Sequence, residues 1–419
     1  MTVKRYLVTA VALLLALTCC SPSATPAPTR LVSSTPTSVP TAVSVPPPAP
    51  PAPRYELEPD TITVCAQGCD FGTLQAAIDD VETASGAVIT ALEAVHTEAG
   101  IHVNKNVTIQ GLGADRTVVQ AHAVLSEAPD RVFFVPEGIS VQIKGMTIRH
   151  GRAHEGDLSG GGVSNLGLCT LEACVIRDNS ANDGGGVFNH GTLSIMNCGI
   201  HGNLADRQAP PGYECGSGGG VKNGFRSTLV MENSTISGNV ALGKGGGLFV
   251  ACEGSATVSN CTISSNRAER DGGGVYIKAP TELVHCTVAD NVTARQGGGI
   301  YVRDTMQWRN CIVARNAPQD VTLGGAGGYQ GRGSISAAQH NWVADASCPS
   351  DHSGDPLLDV LADNGGGTLT HALLPASPAI DCIPATACSL PYDQRGQPRP
   401  IQVSSDAAIC DVGAFEWQP

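Results

Sequence analysis

The chain has 419 residues, with 50 glycines, 27 prolines, only 4% aromatic residues and a formal net charge of −13. We do not expect an acidic chain without clustered Lys and Arg to bind nucleic acid, because phosphate contacts need a basic surface. The glycines follow no three-residue period, which excludes collagen, and the many turn-forming residues favour an all-β fold.

The first twenty residues have the pattern of an export signal. A basic pair precedes the apolar run 7–17, which is too short to span a bilayer as a mature helix. The run ends at Cys19 and Cys20 and resembles the lipobox of bacterial lipoproteins, in which a cysteine becomes the lipidated N-terminus. Cys20 fits best and Cys19 is the second candidate, while an ordinary secretory signal is the alternative. We expect residues 1–20 to be a lipoprotein signal peptide, and the mature protein to be exported and lipid-anchored at the extracellular cell surface.

Residues 21–58 are predicted to be a disordered spacer. They contain 11 of the 27 prolines, mixed with Ser, Thr, Ala and Val. Such a composition buries no core and favours extended polyproline geometry. Behind a lipid anchor, the spacer would hold the folded part of the chain away from the membrane.

A short amphipathic helix is predicted from Thr73 to Val81. Leu74, Ala77 and Ile78 stand there at helical spacing. Strand-like pieces follow, so the helix would cover the first edge of the sheet that they form.

Two motifs then recur in phase. Triple glycine followed by a branched apolar residue begins at Gly160, Gly184, Gly218, Gly245, Gly272 and Gly297. Ile/Val-x-x-Asn ends at Asn179, Asn203, Asn239, Asn266, Asn291 and Asn316. Both series share a period of about 25 residues, apart from one longer step that contains an inserted loop at 207–211. Two independent motifs with one period indicate a solenoid.

The repeats predict a parallel β-helix. Between turns the runs are short, β-branched and alternating, and no repeat has ten residues at helical spacing, which excludes helical solenoids. Equivalent residues should therefore stack in interior ladders. One ladder would contain Cys174, Cys198, Ser234, Cys261, Cys286 and Cys311. We expect these cysteines to be free and buried, while disulfides between stacked neighbours are the alternative.

Several segments resemble known families. DFGTLQAAID, NKNVTIQGLG and the repeats look like bacterial pectin-lyase-like right-handed β-helix proteins and like the repeats of polymorphic outer-membrane proteins. Near the C-terminus, DPLLDVLADNGGGTLTHALLPASPAID, DQRGQPRP and CDVGAFE resemble the choice-of-anchor Q segment of bacterial surface proteins. These resemblances imply a β-helix over 59–345 and an irregular, disulfide-stapled segment over 346–419.

The cysteines outside the ladder read as local staples in an exported chain. Cys65 with Cys69 and Cys388 with Cys410 are the preferred pairs. Other connectivities stay open, because Cys348 and Cys382 lie in or near the same tail. A zinc site is disfavoured, since the tail lacks a tight C-x2-C knuckle, and we expect no metal.

The sequence does not identify catalytic residues. The pectin-lyase-like fold hosts lyases, hydrolases and esterases, so the resemblance names no reaction. Glycoside hydrolysis needs two opposed carboxylates, and uronate lyases need a base and usually calcium. No acidic pair recurs on one face, and the histidines form no ligand motif. The catalytic residues are therefore unknown, no cofactor is expected, and calcium would be needed only by a lyase.

An aromatic strip is the candidate binding site. Phe249, Tyr276 and Tyr301 stand at one offset in three consecutive coils, between apolar residues that alternation sends inward. The rings should then form an exposed strip, with Lys278 and Arg303 placed to meet acidic sugars. The alternative is that the rings only cover the strands, or that a loop or the tail packs over them.

These observations favour a non-catalytic adhesion or glycan-contacting module at the cell surface. The alternative is a polysaccharide lyase or glycoside hydrolase that acts on acidic or plant-type polysaccharide. Expected partners are the membrane, through the lipid anchor, and a polysaccharide or a neighbouring cell surface. Ice binding is a third hypothesis, because Thr235, Thr262 and Thr287 align, but three rungs are too few for a flat array.

Overall fold

The computed structural model describes residues 61–154, 159–207, 216–324, 333–348, 350–400 and 409–418. The predicted lipidation site at Cys20 and the spacer 21–58 lie outside these residues. Within the described part of the chain, none of the helices has the length and apolar character needed to cross a membrane.

The described chain forms the predicted all-β solenoid. Each coil pairs in parallel with the coils before and after it, so that Ile176 pairs with Ile200 and Ile200 with Ile236. A full coil contributes one strand to each of four sheets. We number the sheets 1 to 4 in the order in which they follow one another within a full coil. The resulting tube has no free lateral edges, because backbone hydrogen bonds run along its axis.

The strands of each sheet are as follows. Sheet 1 contains Ile62–Val64, Val88–Ala91, Val107–Gln110, Ser140–Lys144, Leu168–Glu172, Thr192–Met196, Thr228–Glu232, Ser255–Ser259, Thr281–Val284, Thr305–Arg309 and Ser334–Gln339. Sheet 2 contains Val95–Thr97, Val118–Gln120, Thr147–Arg149, Val175–Arg177, Gly199–His201, Thr235–Ser237, Thr262–Ser264, Thr287–Ala289, Ile312–Ala314 and Trp342–Val343. Sheet 3 contains Arg152–Ala153, Ser180–Ala181, Leu204–Ala205, Val240–Ala241, Arg267–Ala268 and Val292–Thr293. Sheet 4 contains Ile101–His102, Phe133–Val135, Val163–Asn165, Val187–Asn189, Val221–Asn223, Leu248–Val250, Val275–Ile277, Ile300–Val302 and Val321–Leu323.

A helix packs against the first coil. It spans Leu74–Asp79, and the Thr73 hydroxyl accepts a hydrogen bond from the Ala76 amide at its N-terminus. Its apolar side buries Leu74, Ala77 and Ile78 in the core of the solenoid. The helix ends two residues before the predicted Val81, which is 88% exposed and has no apolar surface to pack against. Short 3₁₀ turns lie at Leu125–Glu127 and Ala385–Ala387.

Two ladders of stacked side chains run through the interior of the coils, one of small residues and one of asparagines. The predicted cysteine ladder is free and buried. A second ladder contains the motif asparagines, and each side-chain amide donates to the next, from Asn179 to Asn203 at 3.0 Å and onward to Asn316. Asn316 passes the series on to Asp320 at 2.9 Å. The asparagines recur because a buried corner must satisfy its polar groups internally.

The triple-glycine turns require glycine for two separate reasons. Gly245 and Gly272 adopt left-handed φ values of 64° and 72°. At Gly246, which follows the first of them, a Cβ would stand 2.3 Å from the carbonyl oxygen of Gly273. Adjacent coils thus approach each other too closely at this corner for any side chain.

Residues 350–400 and 409–418, here called the C-terminal segment, pack against the outside of sheet 2. They contain two antiparallel pairs, Leu358–Ala362 with Thr370–Leu373 and Ile383–Pro384 with Ile409–Cys410. A separate apolar cluster joins this segment to the solenoid. Both preferred disulfides are present, one between Cys65 and Cys69 and one between Cys388 and Cys410.

Candidate functional site

The predicted aromatic strip is stacked but not exposed. The rings of Phe249 and Tyr276 lie 5.2 Å apart, as do those of Tyr276 and Tyr301. Their apolar neighbours point into the core, as alternation predicted. However, Phe249 is 1% exposed and Tyr276 is fully buried, and only Tyr301 keeps partial exposure. The expectation of a continuous exposed strip is therefore wrong.

Neighbouring coils supply the cover over these rings. Lys244 in the preceding turn lies 4.7 Å from the centre of the Tyr276 ring and donates to its hydroxyl at 3.1 Å. At Gly324, a Cβ would be 3.0 Å from both the Tyr301 hydroxyl and Arg303, so the backbone closes over that end. Lys278 and Arg303 remain partly exposed. A binding role for this group of residues stays a prediction.

The aligned threonines are also covered. Thr235, Thr262 and Thr287 are at most 2% exposed, because the C-terminal segment lies over them. Thr235 donates to the carbonyl of Leu369 at 2.6 Å, and Thr287 accepts from the amide of Ala414 at 3.0 Å. The three hydroxyls are thus attachment points inside the molecule, which excludes an ice-binding array at this place.

The motif residues of the C-terminal segment form the attachment. Gln394 accepts from the Thr262 hydroxyl at 2.7 Å and donates to the Thr235 hydroxyl at 2.9 Å. Arg399, which is buried, pairs with buried Glu416 at 2.9 Å and reaches the side chain of Asn260 in the solenoid at 3.4 Å. These side chains of the DQRGQPRP and GAFE segments therefore hold the C-terminal segment on sheet 2.

Earlier in the chain the same sheet carries a different surface. Val175–Arg177 and Gly199–His201 place their middle residues in the core and their first and third residues outside, and these outer residues are partly exposed. Register puts Arg149, Arg177 and His201 in one column on three successive rungs. We call the outward side of Thr147–Arg149, Val175–Arg177 and Gly199–His201 the open face.

The open face combines two guanidinium groups with a neutral imidazole. Arg149 donates to the amide oxygen of Gln120 at 2.9 Å, and Arg177 donates to the carboxylate of Asp178. Burial lowers the pKa of Arg149, with a further contribution from Arg177, and the guanidinium stays charged. Burial also lowers the pKa of His201, and Arg177 acts in the same direction while Asp178 opposes it. His201 is accordingly neutral at neutral pH.

A cavity lies where the open face meets the C-terminal segment. Its volume is about 240 Å³ and its wall is mostly apolar. The solenoid contributes Val175, Gly199, His201, Thr235 and Ser237. The C-terminal segment contributes Asp363, Gly366, Gly367, Thr368 and Leu369. We call it the Gly199 cavity, because Gly199 leaves the space that a side chain would fill.

A serine, a histidine and an aspartate also meet at the adjacent corner. His154 Nε2 is 3.1 Å from Ser180 Oγ, and His154 Nδ1 is 3.1 Å from Asp206 Oδ1. Ser180 also donates directly to Asp206 at 3.4 Å, so the three side chains close a triangle instead of the linear relay of a nucleophilic triad. Ser180 is 5% exposed. The group cross-links three successive coils.

No metal centre is evident within the described ranges, where no three His, Cys, Asp or Glu side chains converge in a way that could hold an ion. Asp320 and Asp345 form an acidic pair in which each carboxylate accepts from the other's backbone amide. Burial raises the pKa of Asp320. Both line a shallow cavity with Asp355, and their mutual backbone bonds tie two turns together.

Comparison with known families identifies the fold. The model described as "Right handed beta helix region" matches residues 132–317 and 215–348. Together these matches cover residues 132–348, just over half of the chain. The chain belongs to the right-handed β-helix family. No curated protein sequence matches it significantly.

Two solved structures have a backbone trace that partly superposes on this one. Pectate lyase Pel9A superposes with a TM-score of 0.45 and 15% identity over 82% of this chain and 91% of that one. A pectin methylesterase from Aspergillus niger gives a TM-score of 0.39 and 14% identity over 72% and 92%. Values this low carry no argument about the activity of this chain.

The residues of the open face were not predicted from the sequence, although a signal was present. Arg177 and His201 stand at one position of the Ile/Val-x-x-Asn motif, and Arg149 stands at the equivalent position of Ile148-x-x-Gly151. The residue after the branched one is Arg149, Arg177 and His201 in the early coils, then Ser237, Ser264, Ala289 and Ala314 in the later ones. The change from large cationic or aromatic residues to small ones marks where the C-terminal segment begins to cover the sheet.

Proposed function

We propose that this β-helix protein binds acidic polysaccharide on its open face. The observation that carries the proposal is the column of Arg149, Arg177 and His201, in register on neighbouring rungs beside the Gly199 cavity. The export and lipid anchoring expected from the N-terminus are part of the same proposal, since they would present this face to extracellular polysaccharide.

The charge of the open face supports a ligand with carboxylates. Neighbouring rungs are about 4.8 Å apart, so the guanidinium groups of Arg149 and Arg177 can contact adjacent acidic groups of one polysaccharide molecule. Guanidinium binds carboxylate through paired, charge-assisted hydrogen bonds. The described hydrogen bond of Arg149 is to a neutral amide oxygen, and Asp178, which pairs with Arg177 and also attracts Arg149, is the carboxylate that a ligand would compete with.

The shape of the open face supports an extended ligand. Its strands are short and flat, and the first position of each rung holds a small or branched residue, such as Val175 or Gly199. The C-terminal segment forms one wall of the resulting step, at Asp363 to Leu369. A polymer that contacts Arg149 and Arg177 on successive rungs lies along the axis of the solenoid and meets this wall at one end.

Binding to polygalacturonate tests the proposal. Arg149→Gln with Arg177→Gln should weaken binding by about tenfold or more per arginine, since a hydrogen bond to a charged group contributes about 1.5–3 kcal/mol. Titration calorimetry at two salt concentrations should also show weaker binding at high salt. Arg226→Gln, at an exposed arginine paired with Glu253, is the matched control and should bind normally.

The aromatic column provides the competing location. If polysaccharide binds at the open face, Tyr276→Ala with Tyr301→Ala should lower the melting temperature and leave the affinity unchanged, because Tyr276 is buried. Wild-type affinity in the double arginine variant, with lost affinity in the tyrosine variant, would refute the open face.

A lyase is the second candidate, and one observation favours it. His201 is neutral at neutral pH and stands one rung from Arg177, so an imidazole base and a carboxylate-neutralising cation are adjacent. β-Elimination of a uronate needs a base that removes the proton beside the carboxylate, a cation that neutralises the carboxylate, and a proton for the departing glycosidic oxygen. His201→Gln should then abolish release of unsaturated ends and retain binding. If wild-type protein binds the polymer and releases no unsaturated ends, the elimination activity is excluded and the binding function stands.

A further inference from the structure

The rung Gly199–His201 of sheet 2 lacks a side chain at the first of its two outward positions. The first outward position of each strand is occupied by Val95, Val118, Thr147, Val175, Gly199, Thr235, Thr262, Thr287, Ile312 and Trp342. Gly199 is the single glycine among these described strands. Glycine in a strand interior is unfavourable, because it loses more backbone freedom on folding and packs no side chain.

The backbone does not require a glycine at this place. Unlike the glycines of the turns, Gly199 does not adopt a left-handed φ. An added Cβ would stand 3.5 Å from Nδ1 of His201 and 3.8 Å from Cγ2 of Val175, which are ordinary contacts. Since neither strain nor crowding explains the glycine, its consequence is the space that it leaves.

That space is the Gly199 cavity, and its size and lining limit what it can hold. Its volume of about 240 Å³ is below the roughly 300–1,000 Å³ of sites that enclose a whole small ligand. It can therefore accept only part of a larger one. Val175 and Leu369 make the wall apolar, while Ser237 and Asp363 are polar residues of its lining. The hydroxyl of Thr235 is already bonded to Leu369 and Gln394.

The neighbourhood of the cavity indicates the chemistry of that part. Arg177 lies one rung before His201 and would hold a carboxylate of the polymer. Asp363 would repel a second carboxylate in the cavity, so the group that enters it is a small uncharged substituent near an acidic sugar. An apolar methyl group on an ester linkage fits both the apolar wall and the hydroxyl of Ser237.

We propose that the Gly199 cavity binds the methyl group of an ester substituent, either a methyl ester or an O-acetyl group, on the acidic polysaccharide held by Arg149 and Arg177. This inference rests on the proposed function. Burial of one methyl-sized group should raise affinity by about fourfold over the unsubstituted polymer. The cavity would thus select partly esterified over bare polyuronate.

Gly199→Val is the decisive variant. Valine occupies the equivalent position one rung earlier, at Val175, so the fold should accept it, and thermal melting verifies this. Titration uses three preparations of polygalacturonate: unsubstituted, partly methyl-esterified and partly O-acetylated. Wild type should prefer one esterified form by about fourfold, and the two esterified arms show which ester is bound. Gly199→Val should lose that preference, which is measured as the ratio of the variant's own affinities for the esterified and the unsubstituted polymer.

Other outcomes separate the two proposals. If Gly199→Val still prefers the esterified polymer, the cavity assignment is wrong and the open face stands. The same conclusion follows if the wild type binds the unsubstituted polymer and shows no preference for either esterified form. Absence of binding to all three polymers overturns the proposed function and the inference with it. Gly199→Ala, with a smaller side chain, should fall between wild type and valine.

Discussion

The outer side of sheet 2 has an open face and a covered face on one continuous backbone. In the open face, Arg177 and His201 are partly exposed beside a cavity. The covered face comprises the strands from Thr235–Ser237 to Ile312–Ala314, and its outward positions hold Thr, Ser, Ala and Ile beneath the C-terminal segment. The repeated coils are alike in their interiors. The two faces therefore differ only in the residues at the outward positions of the strands, which determine whether a stretch of sheet 2 is left open or is covered by the C-terminal segment.

The interiors behind the two faces are the same. Ile200 behind the open face and Ile263 behind the covered face are both fully buried in a single core. Asparagine side chains bond in series behind both faces without a break. Variants that act on the covered face should therefore detach or loosen the C-terminal segment while the solenoid keeps its stacking.

The largest effect is expected at the buried pair of Arg399 and Glu416. Arg399→Met should lower the free energy of unfolding of the C-terminal segment by about 3 kcal/mol or more, because it leaves a buried carboxylate without its cation. It also removes hydrogen bonds to Gly413 and Asn260. Denaturant unfolding at pH 8 measures the change. Arg267→Met, at the exposed Arg267–Glu269 pair, is the control and should change stability by less than about 1 kcal/mol.

The next largest effect is expected at Gln394. Gln394→Leu should cost about 1–3 kcal/mol, since it removes the acceptor of the buried Thr262 hydroxyl and the donor to the Thr235 hydroxyl, which keeps its bond to Leu369. The added change Thr262→Val should recover part of the loss, because it removes a group left unsatisfied. Gln397→Leu, at an exposed glutamine three residues away, should have little effect. A Gln394→Leu protein as stable as wild type would contradict this role of the amide.

Attachment of the covered face should depend on pH. Burial raises the pKa of Glu416 to about 7, against the attraction of Arg399, and burial raises the pKa of Asp411 to about 6. A carboxyl whose pKa is raised in the folded state contributes stability below its unfolded value, and this is lost as pH rises through the folded value. Stability should therefore fall from about pH 4.5 to pH 7. Glu416→Gln should flatten this dependence in thermal melts, and an unchanged slope would exclude Glu416 as its source.

Much of the fold could be predicted because a solenoid repeats its constraints. Each coil must place a small residue at the same bend and an amide at the same corner, so Cys198 and Asn203 have equivalents in most other coils. Repetition made the register and the inward or outward direction of each residue readable. Direction, however, was mistaken for exposure at Tyr276, because the turn that brings Lys244 over the ring comes from a neighbouring coil.

The candidate site was not predicted because it depends on which coils of sheet 2 the C-terminal segment leaves uncovered. Arg177 and His201 stand inside the Ile/Val-x-x-Asn motif without breaking it, and Gly199 looks like one more glycine in a glycine-rich chain. The place where the cover ends is set by contacts between residues more than 130 positions apart, such as Thr235 and Leu369. The change from Arg and His to Ser and Ala along the outward column marks that place in the sequence, but it can be interpreted only once the contact is known.

The smallest effect is expected in the interior, and it compares one cysteine behind each face. Cys198 precedes the open strand Gly199–His201 and Cys261 precedes the covered strand Thr262–Ser264; both are fully buried, and burial raises the pKa of each thiol well above its usual value. Neither should react with a thiol reagent in the native protein, and both should react after denaturation, as mapped by mass spectrometry. Cys261→Ala should cost on the order of 1 kcal/mol, the loss of one small buried group.

In Arg399→Met both thiols should stay protected, because the C-terminal segment covers only the outside of the sheet. Labelling of Cys261 without labelling of Cys198 in that variant would show that the covered coils need the segment in order to stay stacked, and that the two interiors differ in stability as well as in cover.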